Sequence, residues 1–276
     1  MIDADLVPAL AELPEDPVGL CRAAQGLVML PHLAPAFDIP DDRQAERSIR
    51  PTSAVMRRLL ELDRAPFDQA RAPDRRVIGT CRQFALLSCA LLRHHSISAR
   101  ARCGFAGYFV PGKYLDHWVT EYQDETGRWV RVDSEILGFD LVDHPEDLLS
   151  GEFLTGGEAW RFLSESEADP MDFGVDGAPH AWGVAEVRSN AIRDLAAMNK
   201  VEMLPWDEWG RMRLSYEGNT GLEFDALIDD VAAACASDDP SFLERTYAAE
   251  DLSVPPDLLL GEEELTQERE NRADQP

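Results

Sequence analysis

The chain has 276 residues, 45% hydrophobic and 28% charged, with a net charge of −26. That length buries a sizeable core as one large domain or two small ones. The surplus of negative charge repels phosphate backbones and anionic lipid surfaces, so no nucleic acid and no membrane is expected as a partner. Basic peptides, amines or a basic partner protein remain compatible with it. There are five cysteines and no C-x-x-C pair, so no disulfide framework is expected. The acidic start (Met1-Ile2-Asp3-Ala4-Asp5) lacks a basic signal-peptide region, and no apolar run approaches the ~20 residues that span a bilayer. A reducing, cytoplasmic setting is the expectation.

In chain order, residues 1–75 read as a mostly helical N-terminal segment packed on the core. Helices are expected over 20–30 and over 53–62, where Val55, Met56, Leu59, Leu60 and Leu62 fall at helical spacing and Ser53 is placed to cap. Residues 42–50 read as a polar linking segment. Residues 76–140 form the expected core. Thr80 is placed as an N-cap and Cys81 as the first residue of a helix that is apolar all round through Leu92, the mark of a buried helix. Three strands follow, over 97–110, 116–123 and 128–136, the last two joined by a turn at Asp124-Glu125-Thr126-Gly127. In the first, Ile97, Ala99, Ala101 and Cys103 share one face and Arg100 and Arg102 the other. Residues 141–260 read as helical, with helices over 146–151, 157–166, 187–200, 223–236 and 240–250. Residues 261–276 read as a disordered tail.

The chemistry concentrates between Gly79 and Glu135. Cys81 heads a helix, His117 lies on a strand and Asp133 ends the next strand. If Gln123 faces Arg128 across the turn, His117 faces Ser134 and lies beside Asp133. A helix N-terminus and a nearby imidazole are both expected to lower the Cys81 pKa. The Cys81 backbone N–H is a candidate oxyanion donor. Each residue alone also fits a structural role; the ordered set is what makes a candidate nucleophile, base and orienter. Trp118, Tyr114 and Trp182 are candidate substrate-lining residues, with packing as the alternative. Cys81, Cys89, Cys103 and His117 match no usual zinc spacing, so no metal and no cofactor is expected.

The runs Gly-Thr-Cys-Arg-Gln-Phe-Ala-Leu-Leu from Gly79, Asp-His-Trp-Val from Asp116 and Arg-Trp-Val-Arg-Val-Asp from Arg128 resemble the core of the transglutaminase-like superfamily, over Val77 to Ile136. The resemblance implies an α+β, papain-like fold in which the cysteine helix packs on an antiparallel sheet. It also implies Cys81 as nucleophile, His117 as base and Asp133 as orienter. The implied reaction is acyl transfer or hydrolysis at an amide or thioester of a small-molecule, peptide or protein donor, with water or an amine as acceptor. Asn190-x-x-Arg193-Asp194-Leu195 and Glu202-x-Leu204-Pro205-Trp206-Asp207 resemble the C-terminal part of bacterial members. Three other readings remain open here. One is a catalytically silent scaffold with an acidic docking surface. Another is an amide-bond synthase acting on carrier-bound acyl groups. The third is an arylamine N-acetyltransferase-like enzyme, although the glycine-rich sequence such enzymes carry before the cysteine is absent.

Overall fold

The structure is a computed structural model that describes residues 3–237, 239–249 and 251–259. The expected tail at 261–276 lies outside the described residues. In order, the elements are α1 (Pro17–Gln25), β1 (Val28–Met29), α2 (Thr52–Leu62), β2 (Val77–Ile78), α3 (Cys81–His94), β3 (Ala99–Val110), β4 (Lys113–Gln123), β5 (Trp129–Val132), β6 (Phe153–Thr155), α4 (Gly156–Glu165), β7 (Phe173–Gly174), α5 (Val184–Met198), α6 (Gly210–Tyr216), α7 (Leu222–Ala236), α8 (Pro240–Tyr247) and α9 (Pro256–Leu259). It is an α+β fold of helices around an antiparallel sheet.

Among the described residues, one sheet runs β5-β4-β3-β6, with β7 pairing parallel to the start of β4. β3, β4 and β5 are antiparallel neighbours. α3 crosses this sheet, and its apolar sequence is accounted for by burial on several sides. Phe84, Leu87 and Leu91 pack with α1 and α2 through Leu20, Met56 and Leu59. Ala85, Leu86 and Cys89 pack on Ala101, Cys103 and Trp118 of the sheet. A second core joins Phe105, Leu154 and Phe173 to α5 and α7 through Ile192, Leu195, Ile228 and Val231.

The approach to Cys81 is held by the N-terminal segment. β1 and β2 pair in parallel, Val28 with Val77 and Met29 with Ile78. The bonds Val77 N–H to Leu27 O (3.0 Å) and Gly79 N–H to Met29 O (2.9 Å) complete that clamp. Residues 41–48 are a 3-10 helix rather than a plain linker. Its Glu46 is buried and accepts from Arg43, Arg58 and the Ile78 N–H, which ties it to the same strand.

Three expectations are corrected. The first helix starts earlier and stops at Gln25, because Pro17 sets its first turn behind an Asp16 cap and the chain turns into β1. Residues 146–151 form turns, not a helix, between Pro145 and a positive-φ Gly151. The β4–β5 register is displaced by one residue: Gln123 faces Trp129 and Thr120 faces Val132. The cause is the loop, which spans 124–128 and is drawn in by Asp124 Oδ1 accepting from the Thr126 and Arg128 N–H groups (2.9 and 3.0 Å).

The polar face of the sheet is not a solvated face. Glu121 of β4 is 2% exposed and accepts from Arg100 Nε (2.6 Å), Arg102 Nη1 (2.9 Å) and Arg131 Nε (2.7 Å). Arg102 is also held in a fork by Asp194 of α5 (2.9 and 2.8 Å), and Arg131 by Glu158 of α4 (2.9 and 2.7 Å). The Asn190, Arg193 and Asp194 motif is absorbed here, since all three are buried on the face of α5 that braces the sheet.

Candidate active site

Thr80 caps α3 in extended conformation, and Gln83 Oε1 accepts from both its N–H (2.9 Å) and its hydroxyl (3.0 Å). This fixes Cys81 as the first helical residue, with the unpaired N–H groups of a helix start around it. Arg82, also buried, anchors the same turn by donating to the carbonyls of Arg50 (2.9 Å) and Glu202 (3.0 Å). Cys81 is partly exposed, whereas Cys21, Cys89, Cys103 and Cys235 are buried.

His117 and Asp133 come from β4 and from the residue just past β5. Gly104 faces His117 across β3. A Cβ on Gly104 would lie 2.1 Å from the Leu154 carbonyl oxygen, so only glycine lets β6 pack there. Asp133 has left the ladder, and its N–H donates to Pro145 O (2.9 Å). His117 Nε2 lies 2.8 Å from Asp133 Oδ2, and both residues are buried. His117 pulls the Cys81 thiol pKa down, and with Nε2 engaged by Asp133 the nitrogen left for the thiol is Nδ1. The imidazole is packed edge-on by Phe109 (5.0 Å between centroids) and Tyr108 (6.3 Å). The Tyr108 hydroxyl donates to Asp133 Oδ2 (2.6 Å), and the Glu135 N–H donates to Oδ1 (3.0 Å).

The electrostatics oppose one expectation. Burial raises the Cys81 pKa, and the hydrogen bond and charge of His117 offset this only in part; the charges of Glu135 and Asp116 add to the rise. Burial works the other way on His117, but the Asp133 carboxylate and Cys81 outweigh it and hold the imidazole well above its usual range. Next to it, burial pushes Asp116 up to about 6 despite the nearby Arg193 guanidinium. Asn190 Nδ2 donates to Asp116 Oδ1. The raised proton affinity of the imidazole makes it the acceptor for the Cys81 proton, whereas burial makes a thiolate without that neighbour costly.

The structure brings Cys81, His117 and Asp133 together. Trp118 does not line a substrate path: it is 1% exposed and packed between α3 and β3, with its indole N–H unpartnered. Tyr114 stacks on Phe173 (4.7 Å, 5°), and Trp182 lies against Gly174 with Lys113 Nζ 5.7 Å from its ring. Tyr108, Phe109 and Glu135 were not anticipated. Their placement depends on the twist of β3 and the chain's exit from β5, and no residue pattern marks either. Replacing Tyr108 with phenylalanine removes one donor from Asp133; we expect about tenfold slower turnover, with little loss of folding, checked by kinetics beside urea denaturation.

Among the described residues, no group of His, Cys, Asp or Glu is arranged to hold a metal ion, and no helix is long and apolar enough to cross a membrane. Residues 63–134 match the profile of the Transglutaminase-like superfamily, a stretch that contains Cys81, His117 and Asp133. No curated protein and no solved structure matches the chain.

Proposed function

We propose, from the premise that residues 63–134 are a transglutaminase-like core, that this protein catalyses cysteine-dependent acyl transfer or hydrolysis at an amide or thioester. The observation that carries the reading is the buried 2.8 Å contact of His117 Nε2 with Asp133 Oδ2, in a site where the same imidazole acts on the Cys81 thiol at the start of α3. In the forward step the Cys81 S–H proton passes to His117 Nδ1 as sulfur attacks the substrate carbonyl. Asp133 stabilises the imidazolium at Nε2. The Cys81 N–H faces the developing oxyanion. Collapse breaks the bond to the leaving amine or thiol, which takes the proton from His117 and leaves a thioester on Cys81. Water or an amine then attacks that thioester, His117 takes its proton, and the thiol is restored.

The experiment is acylation with a small activated ester, read as intact mass and mapped by peptide. An acyl group on Cys81 that hydroxylamine removes, absent from Cys81→Ala, is the expected result. Equal labelling of wild type and Cys81→Ala would sink the reading.

A further inference from the structure

A groove of about 470 Å³ runs beside Phe84 of α3 and reaches Glu135, two residues past Asp133. Apolar side chains make up much of its wall: Met29 of β1, Phe84 of α3, and Leu33, Phe37 and Phe139. The last three are 41%, 46% and 62% exposed, an unusual cost for large apolar side chains unless something covers them. Glu135 also lines this groove. Its backbone is fixed, because the N–H donates to Asp133 and the carbonyl accepts from Gln25 Nε2 (3.0 Å). Its carboxyl is not satisfied: Oε2 is enclosed without a hydrogen-bond partner, and no side-chain bond to Glu135 occurs among the described residues. A carboxylate left so is costly, and the missing partner is the natural contribution of a ligand.

We propose that this groove binds the acyl donor, that the donor carries a protonated nitrogen on an apolar body, and that Glu135 selects it. The inference rests on the acyl-transfer reading of Cys81. The Glu135 N–H bond to Asp133 Oδ1 sets this end of the groove beside the His117–Asp133 pair, and the Glu135 charge acts on both Cys81 and His117. Burial pushes the Glu135 carboxyl up to about 7. An ammonium group, ordinarily near 10.4, does not surrender its proton to such a carboxyl. A nitrogen held there stays protonated, so it is a recognition group and not the attacking nucleophile. Arg22 and Arg76 line the groove as well. Arg76 is tied through Nε to the Arg71 carbonyl (2.8 Å), and neither guanidinium bonds Glu135.

The test uses three thiol reagents of similar size on the full chain: methyl, 2-aminoethyl and 2-sulfonatoethyl methanethiosulfonate. The last two are cationic and anionic. Rates at Cys81 are followed by mass spectrometry at pH 8 and normalised to the neutral reagent. That removes intrinsic reactivity and any change in thiol pKa. The expected result is a cation-to-anion rate ratio that falls at least tenfold in Glu135→Gln and keeps its wild-type sense in Glu135→Asp. A ratio unchanged in Glu135→Gln, or a wild-type preference for the sulfonate, would overturn the proposal; the second result would assign the groove to Arg22 and Arg76. If wild-type Cys81 is silent even to the neutral reagent, the acyl-transfer reading fails and takes this inference with it.

Discussion

Replacing His117 with alanine should cut acyl transfer by about 10²–10⁴-fold, the usual contribution of a positioned acid–base group. A second effect on the thiol separates this from general damage. In the wild type, burial sets the Cys81 pKa above the ordinary 9.0, and the His117 hydrogen bond and charge pull against that rise. Removing the imidazole removes only the downward pull, so the thiol pKa must climb further. Alkylation by iodoacetamide follows the thiolate fraction. At a fixed pH below the pKa, each unit of upward shift slows it about tenfold. The wild-type profile should therefore rise on an alkaline limb, and the His117→Ala profile should be displaced to higher pH. The four buried cysteines should stay unlabelled in both. Superimposable profiles would mean that the imidazole and thiol are not coupled.

Glu121→Gln should destabilise the fold by about 3–5 kcal/mol, the scale for removing one partner of a buried ion cluster. Three guanidiniums meet on Glu121, and its side chain is 2% exposed, so water cannot replace it. Burial raises its pKa, but the charges of Arg102, Arg100 and Arg131 outweigh this and hold it far below the usual 4.5. A depressed carboxylate contributes stability that is present above the unfolded value and is lost as pH falls towards the folded one. Wild-type stability should accordingly decline as pH drops below about 4.5, the ordinary glutamate value, and the variant's decline should be shallower. Asp116 and Glu135 work in the opposite direction: burial raises both, to about 6 and about 7, so protonating them on the way down favours the folded state. Urea denaturation from pH 7 to pH 3 measures the balance. Equal acid limbs would show that Glu121 does not carry the network.

Cys81, His117 and Asp133 were legible in the sequence because each occupies a position that local pattern defines: a capped helix start, a strand, and a strand end. The assembly tolerates the one-residue error in register, since Asp133 lies beyond the ladder and is placed by Pro145 and Tyr108 rather than by pairing. For Cys81 the helix start and the imidazole are visible in a sequence, but the desolvation that raises the thiol pKa is not. Arg100 and Arg102 mislead for a related reason. Alternation along a strand separates polar from apolar side chains, but it does not say which face is wet. Here α4 and α5 bring Glu158 and Asp194 to cover the polar face, and their approach is long-range information.

The parallel pairing of Val28-Met29 with Val77-Ile78 bears on how this chain can be divided. The stretch that carries the chemistry is not the stretch that supports it. A module excised at residues 63–134 would lose the strand that straightens the approach to Cys81. It would lose the Glu46 carboxylate on Ile78 and the Arg50 carbonyl that anchors Arg82. The first sixty residues are thus a brace for Cys81, and grafting the motif alone onto another protein would move its side chains without their vice.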